Sequence, residues 1–178
     1  MGKVTLITGP ARSGKSEWAE KLALKSKNVV YIATSNRDAN DPEWLSRIQQ
    51  HLHRRPQNWL TLEVPIELSH ALSNVNAQTC ILVDSLGTWV ANLLEQEDIE
   101  WDNTVQEFLN TVELVAADIV FVAEETGWGV VPAYLIGRKF RDRLGSLVRR
   151  LSKISDTVYL VTGGYALDLG VLGTAIDE

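Results

Sequence analysis

The sequence predicts an α/β fold built on a mostly parallel sheet with helices on both faces. Short apolar runs of strand length alternate with segments whose apolar residues recur at helical spacing. Between the first run and the first helical segment lies Gly9-Pro10-Ala11-Arg12-Ser13-Gly14-Lys15-Ser16, which fits the pattern G-x-x-x-x-G-K-[ST]. The 178 residues suffice for one domain with a substantial core, and no internal repeat, low-complexity tract or Ser/Gly linker divides them.

The elements follow in order. Lys3–Thr8 is the first strand, and Ser16 to Lys27 the helix after the Gly-rich loop. Further strands are expected at Asn28–Ala33, Trp59–Val64, Thr79–Asp84, Asp118–Ala123 and Thr157–Val161. Asp41-Pro42 reads as an N-cap followed by proline at the first helical position, opening a helix to about His53. Leu86, Trp89, Val90, Leu93 and Leu94 share helical spacing. So do Val105, Phe108, Leu109 and Val112, and again Phe140, Leu144, Leu147, Val148 and Leu151. Short apolar runs separated by amphipathic helices are the pattern of a parallel sheet buried on both faces. The expected fold is therefore a P-loop NTPase-like (RecA-like) three-layer α/β arrangement, with residues 1–178 as one domain.

The loop has a definite chemistry. Gly9 and Gly14 let the backbone turn tightly and present its N–H groups to phosphate oxygens. The helix that follows adds a partial positive charge at its N-terminus. Lys15 can reach the β- and γ-phosphates, and the Ser16 hydroxyl can ligate Mg²⁺. A nucleoside triphosphate, ATP or GTP, is the expected ligand.

Composition sets limits on the rest. Seventeen Lys and Arg against 23 Asp and Glu give a net charge of −6, which argues against a nucleic-acid partner. The single cysteine, Cys80, sits in the apolar run Cys80-Ile-Leu-Val-Asp84, so a buried thiol is expected and no disulfide within the chain. No charged, apolar, then small-residue pattern opens the sequence, and no apolar stretch is long enough to span a bilayer. The expected location is cytoplasmic. Arg138, Lys139, Arg141, Arg143, Arg149, Arg150 and Lys153 crowd one segment, opposed there only by Asp142. An anion site, a solvated helix face and a subunit contact are all open for that cluster.

In parallel sheets ligands bind beyond the carboxyl ends of the strands, and that rule sorts the remaining residues. Asp84 closes a strand beside the phosphate loop, where an acid holds the Mg²⁺ shell, most simply through water. Capping the following helix is its other reading. Glu124 and Glu125 end another strand, ahead of Thr126-Gly-Trp128-Gly129-Val-Val-Pro132. A carboxylate there could ligate metal or take a proton from an attacking hydroxyl, and Trp128 could cover a flat ligand or pack on its own sheet. Arg47 and His51, four apart, are neighbours on one helix face, with His53, Arg54 and Arg55 close behind. His51 could be a nucleophile toward phosphorus or a surface histidine.

Together these residues resemble the bifunctional adenosylcobinamide kinase / adenosylcobinamide-phosphate guanylyltransferase family. The matching features are the Gly-rich loop, Tyr31-Ile-Ala-Thr-Ser35, Arg47-Ile-x-x-His51, Arg55-Pro56, and Trp59 ahead of Glu63. They continue with Asp84, Asn92-Leu-Leu94, Glu125-x-Gly127-x-Gly129-Val-Val-Pro132, Arg138 and Phe140-Arg-Asp142. The resemblance runs from about Val4 to Gly164. It implies transfer of a γ-phosphate from ATP or GTP to the aminopropanol hydroxyl of adenosylcobinamide. A histidine, here His51, then takes GMP from GTP and passes it to adenosylcobinamide phosphate. It implies that Lys15 serves catalysis, that Ser16 and Asp84 hold Mg²⁺, and that Ala33, Thr34, Ser35, Leu52, His53, Arg54, Arg55 and Glu63 complete the nucleotide site. Glu125, Trp128 and Arg138 fall to the corrinoid side, and a homotrimer is implied. Glu124 departs from the pattern, standing where the family more often has Asn. Gly164-Tyr-Ala-Leu-Asp-Leu-Gly170 lacks the expected Pro and final Lys. A kinase of another small alcohol and a non-catalytic nucleotide switch remain alternative functions of the same loop.

Overall fold

The apolar runs assemble into one seven-stranded sheet in the order β3-β2-β4-β5-β1-β6-β7. The structure is a computed structural model and describes residues 2–35 and 55–176. The helix expected from Asp41 to about His53 lies outside the described residues. The strands are β1 (Val4–Gly9), β2 (Val29–Ala33), β3 (Leu60–Glu63), β4 (Cys80–Asp84), β5 (Asp118–Glu124), β6 (Thr157–Thr162) and β7 (Tyr165–Asp168). All pairings are parallel except β6 with β7. The helices are α1 (Lys15–Ala23), α2 (Leu68–Ser73), α3 (Leu86–Asn92), α4 (Asp98–Leu114), α5 (Leu135–Lys153) and α6 (Leu169–Leu172).

Alternate residues of each strand face opposite sides, so the sheet feeds two apolar clusters. One gathers Leu6, Ile32, Ile81, Val83, Ile119 and Phe121 against α2, α3, α4 and α5. Its aromatic centre is Phe108, 5.0 Å from Trp89 and 5.5 Å from Phe121 between ring centroids. The other gathers Ile7, Tyr31, Leu82, Val122 and Val161 against Ala19 and Ala23 of α1. Each large apolar side chain fully buried this way contributes about 1.5–3 kcal/mol.

Differences from the sequence expectation have local causes. The first helix stops at Ala23 rather than Lys27. The N–H groups of Lys25 and Ser26 close 3.2 and 3.0 Å bonds to the carbonyls of Leu22 and Ala23, a tightened last turn. Lys25, Ser26 and Lys27 offer nothing apolar to continue the buried face. Short helix α2 and the β7–α6 tail are additions to the expected elements. Gly163 and Gly164, with φ of 57° and 80°, form the two-residue turn that folds β7 back on β6. Among the described residues no helix is long and apolar enough to cross a membrane.

Candidate active site at the carboxyl edge of the sheet

Strand register decides which residues meet at the carboxyl edge. Glu63, Ala33 and Asp84 line up across β3, β2 and β4, and Gly9 pairs with Glu124 across β1 and β5. The phosphate-loop sequence thus emerges between β5 and β6, with Asp84 one strand beyond Glu124.

The loop has the conformation its glycines permit. Gly9 has φ of 155°, and a Cβ there would stand 2.1 Å from the Val161 carbonyl oxygen. Arg12 and Gly14, at φ of 58° and 97°, both lie in the left-handed region. Gly14 leads straight into α1, so the first free N–H groups of that helix face the loop. Lys15 is buried, and its Nζ donates to the Pro10 carbonyl at 2.8 Å. Burial pulls its ammonium below the ordinary lysine range, while the carboxylates of Glu124 and Asp84 act in the opposite direction. Ser16 is half-buried in the first turn of α1.

Asp84 is half-buried at the end of β4. The turn after it is held from two sides. On the β2 side, Thr34 is fully buried. Its Oγ1 donates to the Ser85 carbonyl at 2.6 Å and accepts from Ser85 N–H at 3.0 Å. Thr34 Oγ1 also bonds Thr88 Oγ1. Thr34 therefore acts on the site by fastening the turn after β4, its hydroxyl turned inward. Asn92 bridges the Thr34 and Pro65 carbonyls at 2.7 and 2.9 Å. On the β5 side, Glu124 accepts from Ser85 Oγ at 2.5 Å and from Gly87 N–H at 2.9 Å. Burial pushes the Glu124 carboxyl above the usual range. The Ser85 bond pulls it back, the Asp84 charge adds to the rise, and Lys15 opposes it.

Behind Asp84 stands Tyr31, near enough for the Asp84 charge to act on its phenol. Burial raises the Tyr31 phenol well above its ordinary value, and Asp84 adds to the rise. The Arg55 guanidinium stacks on the Tyr31 ring and faces Glu20 of α1. Arg55, expected at the nucleotide, is thus tied to the scaffold behind Asp84.

Glu125 and Arg138 brace the loop between β5 and α5. Glu125 Oε1 accepts from Gly127 N–H at 2.7 Å, and Arg138 donates to the Pro132 and Ala133 carbonyls at 2.9 and 2.7 Å. Trp128, Val130, Tyr134 and Leu135 are 65%, 95%, 81% and 75% exposed, an apolar run standing out of the loop. A hollow of about 140 Å³ between this loop and α5 is lined by Glu124, Glu125, Arg141 and Arg149, among others.

The basic cluster on α5 divides in two. Arg143 is buried over Trp101 and donates to the Leu93 and Gln96 carbonyls and to Asp98. Lys139 also donates to Gln96, and Arg150 to Gln106. These three hold helices together, whereas Arg141 and Arg149 reach the hollow.

The donor set tests the fit of a metal. Ser16 and Asp84 offer a hydroxyl and a carboxylate beside Lys15, both hard oxygen ligands. Among the described residues no group of three or more His, Cys, Asp or Glu could form a closed cage. Few protein oxygens, with water and phosphate completing the shell, is the manner of Mg²⁺. The expected site residues Arg47, His51, Leu52, His53 and Arg54 lie outside the described residues. Glu20 and Gly87 join the site without having been expected there, and neither carries a local sequence signal.

Comparison with known proteins bears on this arrangement. A family model described as cobinamide kinase / cobinamide phosphate guanyltransferase matches residues 5–169. The chain is 39% identical over 167 residues to the bifunctional adenosylcobalamin biosynthesis protein CobP of Pseudomonas aeruginosa, covering 92% of this chain and 95% of the relative. It is 33% identical over 179 residues to the protein CobU of Escherichia coli K12, which bears the same bifunctional description, with coverages of 92% and 98%. Among solved structures, the type III secretion ATPase EscN of enteropathogenic E. coli aligns with a TM-score of 0.57 at 12% identity, over 99% of this chain and 46% of that one. A Pyrococcus horikoshii OT3 protein aligns with a TM-score of 0.56 at 11% identity, over 99% and 88%. These two show the fold alone, a P-loop NTPase-like α/β fold. The chain belongs to the cobinamide kinase / cobinamide phosphate guanyltransferase family.

Proposed function

We propose that this protein phosphorylates the aminopropanol hydroxyl of adenosylcobinamide with ATP or GTP, then transfers GMP from GTP to the phosphorylated product. The carrying observation is the intact phosphate loop, with buried Lys15 set between the carboxylates of Glu124 and Asp84. Family membership supplies the substrate class.

In the first step the substrate hydroxyl attacks the γ-phosphorus, its proton passes to solvent, and the bond to the leaving nucleoside diphosphate breaks in line. Lys15 exchanges its bond to the Pro10 carbonyl for phosphate oxygens, and the loop N–H groups hold the β-phosphate. Ser16 and, through water, Asp84 would hold Mg²⁺, which would supply neutralising charge at the phosphates. In the second step an imidazole nitrogen of His51 attacks the α-phosphorus of GTP and pyrophosphate leaves. A phosphate oxygen of adenosylcobinamide phosphate then attacks the same phosphorus, the P–N bond breaks, and adenosylcobinamide-GDP forms. The exposed apolar run from Trp128 to Leu135 suits the flat, largely apolar face of a corrinoid. A homotrimer in the cytoplasm belongs to the same reading.

The test is γ-labelled ATP or GTP offered with adenosylcobinamide and, separately, with other small alcohols. Label passing to adenosylcobinamide, and lost with Lys15→Ala, is the expected result. Label passing only to another alcohol contradicts the reading.

A further inference from the structure

We propose that Glu124 is a positioning residue for the Asp84 carboxylate, acting through the turn that Ser85 and Gly87 form. The inference rests on the assignment of Asp84 to the metal shell.

Both carboxylate oxygens of Glu124 are committed to that one turn, Oε1 to Ser85 Oγ at 2.5 Å and Oε2 to Gly87 N–H at 2.9 Å. The turn begins at the residue directly after Asp84. Thr34 holds Ser85 from the β2 side. Glu124 closes the clamp from β5, so Asp84 is fixed between two neighbouring strands. Gly87 completes the fit, because a Cβ there would stand 2.0 Å from Glu124 Oε2.

Capping of α3 does not account for this arrangement by itself. Ser85 and Thr88 already form a capping box at that helix N-terminus. Glu124 adds two further hydrogen bonds in a fixed geometry from the β5 side. What they secure is the place of Asp84. Mg²⁺ demands near-ideal octahedral geometry, so a carboxylate a few tenths of an ångström out of place binds its shell poorly. Groups directly behind a metal's ligands typically change metal affinity about 10–100-fold when removed, and because Asp84 acts through water the effect of losing Glu124 falls at the lower end, about tenfold.

The test is equilibrium binding, independent of turnover. Affinity for a non-hydrolysable GTP analogue is measured by calorimetry across Mg²⁺ concentrations, on the full chain, for the wild type, Glu124→Ala, Glu124→Gln, Gly87→Ala and Asp84→Asn. Thermal melts of each report folding. Glu124→Ala is expected to raise the Mg²⁺ concentration for half-maximal tightening about tenfold. Its metal-free affinity should stay within about twofold. Glu124→Gln should restore the Mg²⁺ response, since its amide can accept from Gly87 N–H and donate to Ser85 Oγ. Gly87→Ala, which displaces the carboxylate without removing it, should match Glu124→Ala.

Unchanged Mg²⁺ dependence in Glu124→Ala and Gly87→Ala, beside a weakened Asp84→Asn, overturns the inference alone. Glu124→Gln as weak as Glu124→Ala overturns it too, because charge and not placement would then be at work. An unaffected Asp84→Asn overturns the metal assignment and the inference with it.

Discussion

Arg55 lies over Tyr31, its guanidinium carbon 3.3 Å from the ring centroid, with Nε 3.8 Å from Glu20 Oε1. The Arg55 and Glu20 side chains are 9% and 11% exposed, so little water screens them. Tyr31 in turn stands near Asp84, whose charge raises its phenol further. Three elements, the phosphate-loop helix, β2 and the chain entering β3, therefore meet behind the acid at the end of β4.

Loss of that stack should be costly. Arg55→Ala is expected to reduce unfolding free energy by about 2 kcal/mol, from loss of the desolvated cation–π contact and of the ion pair with Glu20. Arg55→Lys should recover less than half, because an ammonium cannot lie flat on the ring. Tyr31→Phe keeps the ring and should cost about 1 kcal/mol. Urea unfolding of the wild type and these variants checks the order.

Arg143 and Asp98 should respond unequally although they form one ion pair at 3.0 Å. Arg143 is 6% exposed and also donates to two backbone carbonyls, while the Asp98 side chain is 91% exposed. Arg143→Ala is expected to cost about 3 kcal/mol, and Asp98→Asn under about 1 kcal/mol. Equal losses in denaturant titrations would show that the pair, and not the burial of one partner, carries the energy.

Two glycines should separate conformation from composition. Gly9→Ala drives a Cβ to 2.1 Å from the Val161 carbonyl and is expected to abolish nucleotide binding. Gly145 lies on an exposed stretch inside α5, and a Cβ there would meet no atom within 4 Å. Gly145→Ala should therefore stabilise the fold by about 0.5–1 kcal/mol. Calorimetry with a GTP analogue and thermal melts read both.

Stability should fall on the alkaline side. Burial raises the Cys80 thiol from 9.0 to about 11, so between these values the folded chain holds a proton that the unfolded chain releases. The stabilisation is complete below pH 9 and is lost as pH rises through about 11. It amounts to about 2–3 kcal/mol. Tyr31, also raised, adds to the loss in the same direction. Cys80→Ala should show a flatter stability profile over that window, whatever its cost at neutral pH.

Much of this architecture was legible because its strands are buried on both faces. Ile81-Leu-Val83 and Ile119-Val-Phe121 read as unbroken apolar runs for that reason, and the phosphate loop announces itself through its glycines. The tail was not legible as a strand. Tyr165 and Leu167 are exposed on a four-residue edge strand, and only the Gly163-Gly164 pair signals the hairpin. The basic run on α5 could not be sorted by charge alone, since burial of Arg143 depends on α3 and α4 arriving beside it. The clamp on Asp84 was hidden for a similar reason. Glu124 and Ser85 are 39 residues apart and meet only because β4 and β5 pair in one register.

The proposed second transfer, through a covalent histidine, would distinguish this enzyme from a plain P-loop kinase. Incubation with α-labelled GTP and Mg²⁺, followed by peptide mapping of wild type and His51→Ala, reads the second transfer without any corrinoid. An acid-labile, base-stable guanylyl adduct is expected on His51, absent from the variant and discharged by adenosylcobinamide phosphate. A label that persists in His51→Ala would move the nucleophile elsewhere, with His53 first in line, and no label from a protein that binds GTP would rule the covalent histidine out.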